Sequence, residues 1–424
     1  MSKIKSIRGM KDLIPEEIGV WQSIEASIRS VFSLYGFEEI RLPLIEKSEL
    51  FDRSVGDVSD IVSKEMYVFE DRSGEAIALR PEGTAGCVRA CLENDLIRVD
   101  KPKLWYMGQM YRYERPQKGR SRQFHQASAE IFGIDSYLAD AELILLLNNL
   151  WNKLGIQNKL SLEINSLGNY QTREVYRKAI QDFFNSYKKE LDKDSHRILR
   201  DNPLRILDSK SKDIQQLLEE APEINEYLDK ESKDHLNNLK NILDKSNVPY
   251  SINNRLVRGL DYYNKTVFEW KAEGLGAQDT VCGGGRYDNL VEQLGGNSCP
   301  AVGFSIGLER LILTLGDSYK QESIQKPLCD AYFICLTEEA FTYSILSAEK
   351  IRSIFPDIKL KLSLEATSAN SQFKKADKSG AEFTLIVGDE ELKDNTISFK
   401  HLRDGSKQET FNFDQLIKNI KKIL

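Results

Sequence analysis

A chain of 424 residues exceeds what one hydrophobic core organises, so more than one domain is expected. Its 41% apolar and 29% charged content is that of a soluble globular protein, and a formal net charge of −6 argues against a general nucleic-acid coat while leaving room for a local basic groove. No apolar run is long enough to span a bilayer, the N-terminal MSKIKSIRGMKDLIP lacks a signal peptide's apolar core, and the six cysteines form neither a Cys-x-x-Cys pair nor a metal-finger spacing. A cytoplasmic chain with free thiols is the expectation.

Residues 1–168 mix helix and strand signals. Ile18, Trp21, Ile24, Ile28, Val31 and Phe32 recur at helical spacing, Gly36 is placed to stop that helix, and FEEIRLP then reads as a short strand ended by Pro43. Across 169–252 the texture is charged, strand-poor and helical, as in YQTREVYRKAIQDFFNSYKKELDKD, which predicts a helical insertion. Strands and glycine-rich turns return over 253–322. After a break at DSYKQESIQKP, residues 325–424 alternate strands (DAYFICLTE, IKLKLSLE, EFTLIVGDE) with helices, predicting a compact α/β domain.

The chemistry concentrates around YRYERPQKGRSRQFHQ, residues 111–126. Here Arg112, Arg115, Lys118, Arg120 and Arg122 face a single acid, Glu114. LWYMGQMYRYERP and QFHQASAEIFGI read as two strands of a hairpin with QKGRSR as a mobile tip. Strand alternation puts Arg112 with Glu114 on one face and Phe124, Gln126, Ser128 and Glu130 on one face, with His125 turned away. Two readings stay open: a surface sheet with ordinary ion pairs, or a site for an anionic ligand carrying a flat base. Other stretches suit such a site. Glu82 precedes Thr84, an expected N-cap; Arg258, Asp261, Tyr262 and Tyr263 surround a flexible Gly259; VCGGGRYDNL would let backbone approach a ligand; and AVGFSIGLERLIL places Arg310 in the first turn of a helix. No phosphate loop of the G-x-x-x-x-G-K-[ST] type and no strand-linked G-x-G-x-x-G occurs.

Taken together the stretches resemble the histidyl-tRNA synthetases, a family of class II aminoacyl-tRNA synthetases, over nearly the whole chain. FEEIRLP resembles motif 1, YRYERPQKGRSRQFHQASAEIFG motif 2 and AVGFSIGLERL motif 3, while RPEGTAG, NPLRILDSK and LVRGLDYYNKTVFE resemble stretches specific to the histidine enzyme. The resemblance implies an α+β fold: an antiparallel-sheet catalytic core (1–168 and 253–322) interrupted by the helical insertion (169–252), and an anticodon-binding domain (325–424). It implies ATP-dependent formation of histidyl-adenylate, transfer of the histidyl group to tRNA(His), and a homodimer through motif 1. It assigns Arg112, Arg258 and Arg310 to catalysis. Glu82, Gly83, Thr84, Arg112, Gln126, Glu130, Arg258, Tyr262 and Tyr263 would bind histidine. Arg112, Glu114, Arg120, Phe124 and Arg310 would bind ATP, and Gln117, Lys118 and Arg122 would meet tRNA. No protein-only metal site is implied; Mg²⁺ would accompany ATP, with Glu114 as a candidate contact. The last domain adds no basic patch of its own, since residues 325–424 hold 15 Lys/Arg against 15 Asp/Glu, so its RNA role rests on the resemblance. Two rivals within the same family plan are a catalytically dead regulatory relative and a ligase that acts without tRNA; the C-terminal domain and the basic tip weigh against both.

Overall fold

The computed structural model describes residues 3–56, 59, 61–188, 190–209, 211–275, 279–324, 329–365 and 367–423. It divides into two units, Met1–Lys320 and Gln321–Leu424, with separate sheets. The boundary expected at 325 and Lys210, the last residue of NPLRILDSK, lie outside the described residues.

In the first unit six strands form one antiparallel sheet in the order Lys103–Tyr111, Gln123–Phe132, Ala301–Gly307, Thr280–Arg286, Asn264–Ala272, Leu160–Ser166. A two-residue strand is added in parallel at each edge, Glu38–Glu39 beside the first and Ser251–Ile252 beside the last. The FEEIRLP stretch thus pairs over only two residues. Beyond them Ile40 still donates to the Trp105 carbonyl, but the Leu42 and Pro43 carbonyls accept from the Arg80 guanidinium at 3.0 and 3.2 Å instead of from a strand.

One face of the sheet is apolar because alternate residues make it so. Ala127, Ala129 and Ile131 of one strand and Val302, Phe304 and Ile306 of the next pack beneath two helices, Pro15–Leu34 and Tyr137–Lys153. The first helix starts with Pro at N1 and buries Val20, Trp21, Ile24, Ile28, Val31 and Phe32; Ile18 is only half-buried. It ends where expected: Gly36 takes φ +74°, and Phe37 donates to the Phe32 carbonyl.

Between Leu160–Ser166 and Asn264–Ala272 the chain is mainly helical, including Tyr170–Ser186, Lys193–Asp201 and Lys230–Lys245. Asn169, Asp192 and Asp229 cap these three helices by accepting from backbone amides three residues on. Tyr176, Ile180, Phe184, Leu204 and Ile206 pack in one cluster with Val88, Tyr106, Phe132 and Tyr287 of the core, while Leu236, Leu239 and Leu243 of the last helix join the core under the sheet. The fully buried Arg286 donates to Asp140 at 2.5 Å, and His235 of that last helix lies 3.4 Å from the same carboxylate.

The second unit has a five-stranded sheet, in order Leu360–Leu362, Ala331–Cys335, Phe383–Val387, Ile397–His401, Glu409–Phe411. The first three are parallel and match the three expected strands; the last two pair antiparallel. Helices Glu338–Ile354, Ala369–Lys378 and Phe413–Ile423 accompany them, with Lys374, Lys375 and Lys378 exposed on the second. All six cysteines are free and buried.

Candidate active site

The face of the large sheet opposite the helices is built for open space. Its residues pair as Gln126↔Gly307, Ser128↔Ser305 and Glu130↔Gly303, so each polar side chain of one strand meets glycine or serine on the next. The row continues from Ser305 to Gly283 and from Gly283 to Glu269. Small residues in this row make room for neighbouring side chains, Gly303 for Glu130 and Gly283 for Arg258, and leave a trough over Gln126, Ser305 and Gly307. Above it lies a cavity of about 650 Å³, large enough for a nucleotide and an amino acid together.

Five arginines line this cavity, Arg112, Arg120, Arg255, Arg258 and Arg310, of which Arg112, Arg258 and Arg310 come from three different elements. Arg112, just past its strand, donates to the Pro81 carbonyl at 2.8 Å and lies 5.2 Å from the Phe124 ring centre. Arg310, in the first turn of Leu308–Ile324, donates to the Gly119 and Thr280 carbonyls at 3.2 and 2.7 Å. Burial, with Arg120 close by, lowers its pKa. Arg258 pairs with Glu269, whose other oxygen accepts from the Thr280 hydroxyl at 2.9 Å. Burial opposes the Arg258 charge, yet Glu269 beside it holds the pKa above the ordinary arginine value. Its guanidinium lies directly over Gly283, where a Cβ would come within 2.5 Å of both terminal nitrogens. The glycine run therefore makes room for Arg258 and, at Gly284, for the neighbouring strand's backbone.

Next to Arg112, helix Thr84–Glu93 begins at the cavity wall. The expected cap, Thr84, is not the one used: Glu82 accepts from the Thr84 and Ala85 amides at 2.7 and 2.8 Å, while the Thr84 hydroxyl turns to Glu130 at 3.0 Å. A carboxylate two residues ahead reaches the first free amides better than a β-branched hydroxyl at the helix start. Burial raises the Glu82 pKa against those hydrogen bonds and the nearby Arg112 charge. Gly83 is needed for packing, because a Cβ there would collide with the Tyr106 ring. Tyr262 and Tyr263 complete this wall, their rings 4.7 Å apart.

Glu130 is not among the lining residues. It is buried behind the wall, where Thr84, Tyr106 and Tyr287 donate to it at 3.0, 2.8 and 2.5 Å. Burial drives its pKa up to about 7 against those three hydrogen bonds, with Glu82 adding repulsion.

Of the expected site residues the structure brings Glu82, Thr84, Arg112, Glu114, Arg120, Phe124, Gln126, Arg258, Tyr262, Tyr263 and Arg310 to one cavity. Gly83, Gln117, Lys118, Arg122 and Glu130 do not line it. The hairpin tip is docked: Gln117 and Arg120 pair across a turn, and Gly119 packs on Arg310. Gln117 and Lys118 are exposed at its end, whereas Arg122 lies 3.8 Å over the Tyr113 ring and beside Gly9. His125 faces away from the cavity, against Trp21 and 3.0 Å from Glu309. Glu114, the candidate Mg²⁺ contact, pairs with Arg120 and has Arg112 at 4.0 Å. Among the described residues no three His, Cys, Asp or Glu side chains converge. Sequence reasoning missed Glu269, Thr280 and Tyr287. A lone carboxylate in the otherwise apolar run TVFEW was the available signal for the first.

An antiparallel sheet of this order, with arginines entering from the second-strand hairpin and from the helix after the last strand, is the catalytic core of a class II aminoacyl-tRNA synthetase. Comparison with known proteins narrows this. Residues 9–311 match the family model for histidyl-tRNA synthetase, and residues 330–423 match that for an anticodon-binding domain. The apo histidyl-tRNA synthetase of S. aureus is 33% identical, over 99% of this chain and 100% of that one, with a TM-score of 0.82. The fold is shared with the histidyl-tRNA synthetase of Nostoc sp. PCC 7120 (22% identical, 99% and 100% covered, TM-score 0.68). It is shared also with a Bacillus halodurans protein described as an ATP phosphoribosyltransferase regulatory subunit/histidyl-tRNA synthetase (21%, 92% and 100%, TM-score 0.66). The chain belongs to the histidyl-tRNA synthetase family. It is a histidine–tRNA ligase: it activates histidine with ATP and charges tRNA(His) with it. No helix among the described residues is long and apolar enough to cross a membrane.

Proposed function

We propose that histidine and ATP meet in this cavity in a fixed arrangement. The nucleotide lies along the hairpin, with adenine on Phe124, the α-phosphate between Arg112 and Arg258, and the far phosphates at Arg310 and Arg120. Glu114 holds Arg120 in place and faces the adenine amine. Histidine lies at the Thr84–Glu93 end. Its ammonium meets Glu82 and Thr84, Gln126 takes its remaining backbone polar groups, and its imidazole lies between Tyr262 and Tyr263. Glu130 serves that end from behind, through Thr84, Tyr106 and Tyr287. The observation that carries this reading is Arg112, Arg258 and Arg310 lining one cavity with the buried Glu82 close to Arg112. A buried carboxylate with a raised pKa gains most from an incoming ammonium.

In the first step a histidine carboxylate oxygen attacks the α-phosphorus and the bond to the bridging oxygen of pyrophosphate breaks. Arg112 and Arg258 neutralise charge on the non-bridging oxygens, and Arg310 stabilises the leaving group. In the second step a ribose hydroxyl at the tRNA end attacks the carbonyl carbon and AMP leaves. Mg²⁺ would accompany ATP and help neutralise its phosphates, with Glu114 as a candidate contact.

The same reading divides the chain at 1–168, 169–252, 253–322 and 325–424, with the last segment on the anticodon and Gln117, Lys118 and Arg122 on the acceptor end. It makes the protein a cytoplasmic homodimer through the motif 1 region, where Leu44, Ile45, Val68 and Phe69 are exposed on and beside the small sheet of strands Ile45–Lys47, Tyr67–Glu70 and Ala76–Leu79. The test is a kinetic split in histidine-dependent ATP–pyrophosphate exchange. Phe124→Ala is expected to raise the KM for ATP selectively, and Tyr263→Phe the KM for histidine. Equal shifts of both constants in both variants would overturn the arrangement.

A further inference from the structure

The segment between strands Ser251–Ile252 and Asn264–Ala272 carries Arg258, Tyr262 and Tyr263, yet residues 253–263 have no strand or helix of their own. From the sheet, Asn165 donates to the Leu256 carbonyl at 3.0 Å. Asn253 of the loop donates to Glu163 at 2.6 Å and Arg258 pairs with Glu269, both on the sheet. Further side-chain bonds come from the helical insertion. Arg173, on helix Tyr170–Ser186, donates to the Asp261 carbonyl at 3.3 and 3.2 Å and to the Tyr263 carbonyl at 2.8 Å. Asn202 donates to the Asp261 carboxylate at 2.6 Å. In return Arg255 of the loop donates to the Leu218 carbonyl at 2.8 Å.

The two carbonyls held by Arg173 belong to the peptide units that precede Tyr262 and follow Tyr263, so they bracket the pair. One guanidinium spanning both fixes the spacing and tilt of the peptide planes on either side of the pair, and so the directions in which Tyr262 and Tyr263 leave the backbone. A loop with few bonds of its own opens easily unless such contacts hold it. We propose that the helical insertion is the clamp that sets this loop, with Arg173 as its positioning residue. The inference rests on the reading that the loop carries Arg258 and the histidine-facing tyrosines. It gives the insertion a part in amino-acid activation itself, before any RNA is bound.

The test is tRNA-free, histidine-dependent ATP–pyrophosphate exchange on the full chain, with active sites counted so that rates refer to folded enzyme. Arg173→Ala is expected to raise the KM for histidine and lower kcat, by about ten- to a hundredfold in kcat/KM, since a shift of about 1 Å in a positioning element has effects of that order. The KM for ATP stays at the parent value, and Arg173→Lys recovers part of the loss. Arg177→Ala, on the same helix, half-buried and ion-paired with Glu174 at 3.3 Å, behaves as the parent. If Arg173→Ala lowers only the number of active sites and leaves the histidine KM unchanged, the residue serves folding and the clamp is refuted. Arg258→Ala separates the two layers. Exchange that survives it overturns the site reading and the clamp with it; exchange lost in Arg258→Ala but intact in Arg173→Ala overturns the clamp alone.

Discussion

Gly283→Ala adds one methyl group beneath Arg258. The new Cβ would stand 2.5 Å from both terminal nitrogens of the guanidinium and 2.6 Å from its central carbon. Ordinary contact needs about 1 Å more, and the element that can yield is the end of a flexible side chain rather than backbone. The fold should therefore tolerate the change while Arg258 is pushed off its place beside Glu269. A misplacement of about 1 Å costs about a hundredfold in rate when the displaced group serves the transition state, or about 2.7 kcal/mol. The assay is histidine-dependent ATP–pyrophosphate exchange, read alongside thermal unfolding. A kcat lower by about two orders of magnitude with Tm nearly unchanged is expected. A kcat within about threefold of the parent would show that the position of Arg258 does not matter to the phosphate, and the reasoning would fail.

Glu269→Gln should lower exchange in the same way, because Arg258 loses the charge that orients it, and the double variant with Gly283→Ala should lose less than the product of the two; full additivity in the double-mutant cycle would count against a shared action on Arg258. Glu130 titrates at about 7 in the folded chain against 4.5 when free. A raised carboxyl pKa means stability that is whole below about pH 4.5 and is lost as pH climbs through 7, about 3 kcal/mol in all. Glu130→Gln should remove that slope between about pH 4 and pH 8. The tryptophans Trp21, Trp105, Trp151 and Trp270 all lie in the first unit, so their emission during urea unfolding reads it, and parallel slopes for parent and variant would contradict the assignment. Arg286→Met leaves the buried Asp140 without its cation and should destabilise the same unit by about 3–5 kcal/mol. Lys118→Ala should raise the KM for tRNA and reduce its log–log salt slope by about 0.7–0.9 while exchange stays at the parent rate; an unchanged slope would remove Lys118 from the RNA contact.

Periodicity and turn residues carried much of the architecture. The Pro15–Leu34 helix and the hairpin follow from local pattern, because each buries one face and ends at a proline or glycine, and the first three strands of the second unit follow from short apolar runs, two of them buried on both faces. Strand alternation also separated His125 from Phe124, Gln126 and Glu130, and only the latter side faces the trough. What local pattern could not convey was depth. Gln126 and Glu130 share a face, yet the wall of Thr84, Tyr106 and Tyr287, which come from three distant segments, stands between Glu130 and the cavity. The glycines of VCGGGRY looked ready for a ligand; their room is taken up within the protein, by Arg258 and by the adjoining strand. Capping was misassigned for a related reason: Glu82 and Thr84 both fit a helix start, and only the hydroxyl partner at Glu130 decides between them.

The most direct measurement is a crystal structure of the chain with a non-hydrolysable histidyl-adenylate analogue. The phosphate surrogate should lie within hydrogen-bond reach of Arg112 and Arg258, the adenine on the Phe124 ring, the ammonium at Glu82, and the imidazole between Tyr262 and Tyr263. A phosphate surrogate held by other cations, or an imidazole turned away from the two tyrosines, would contradict the arrangement.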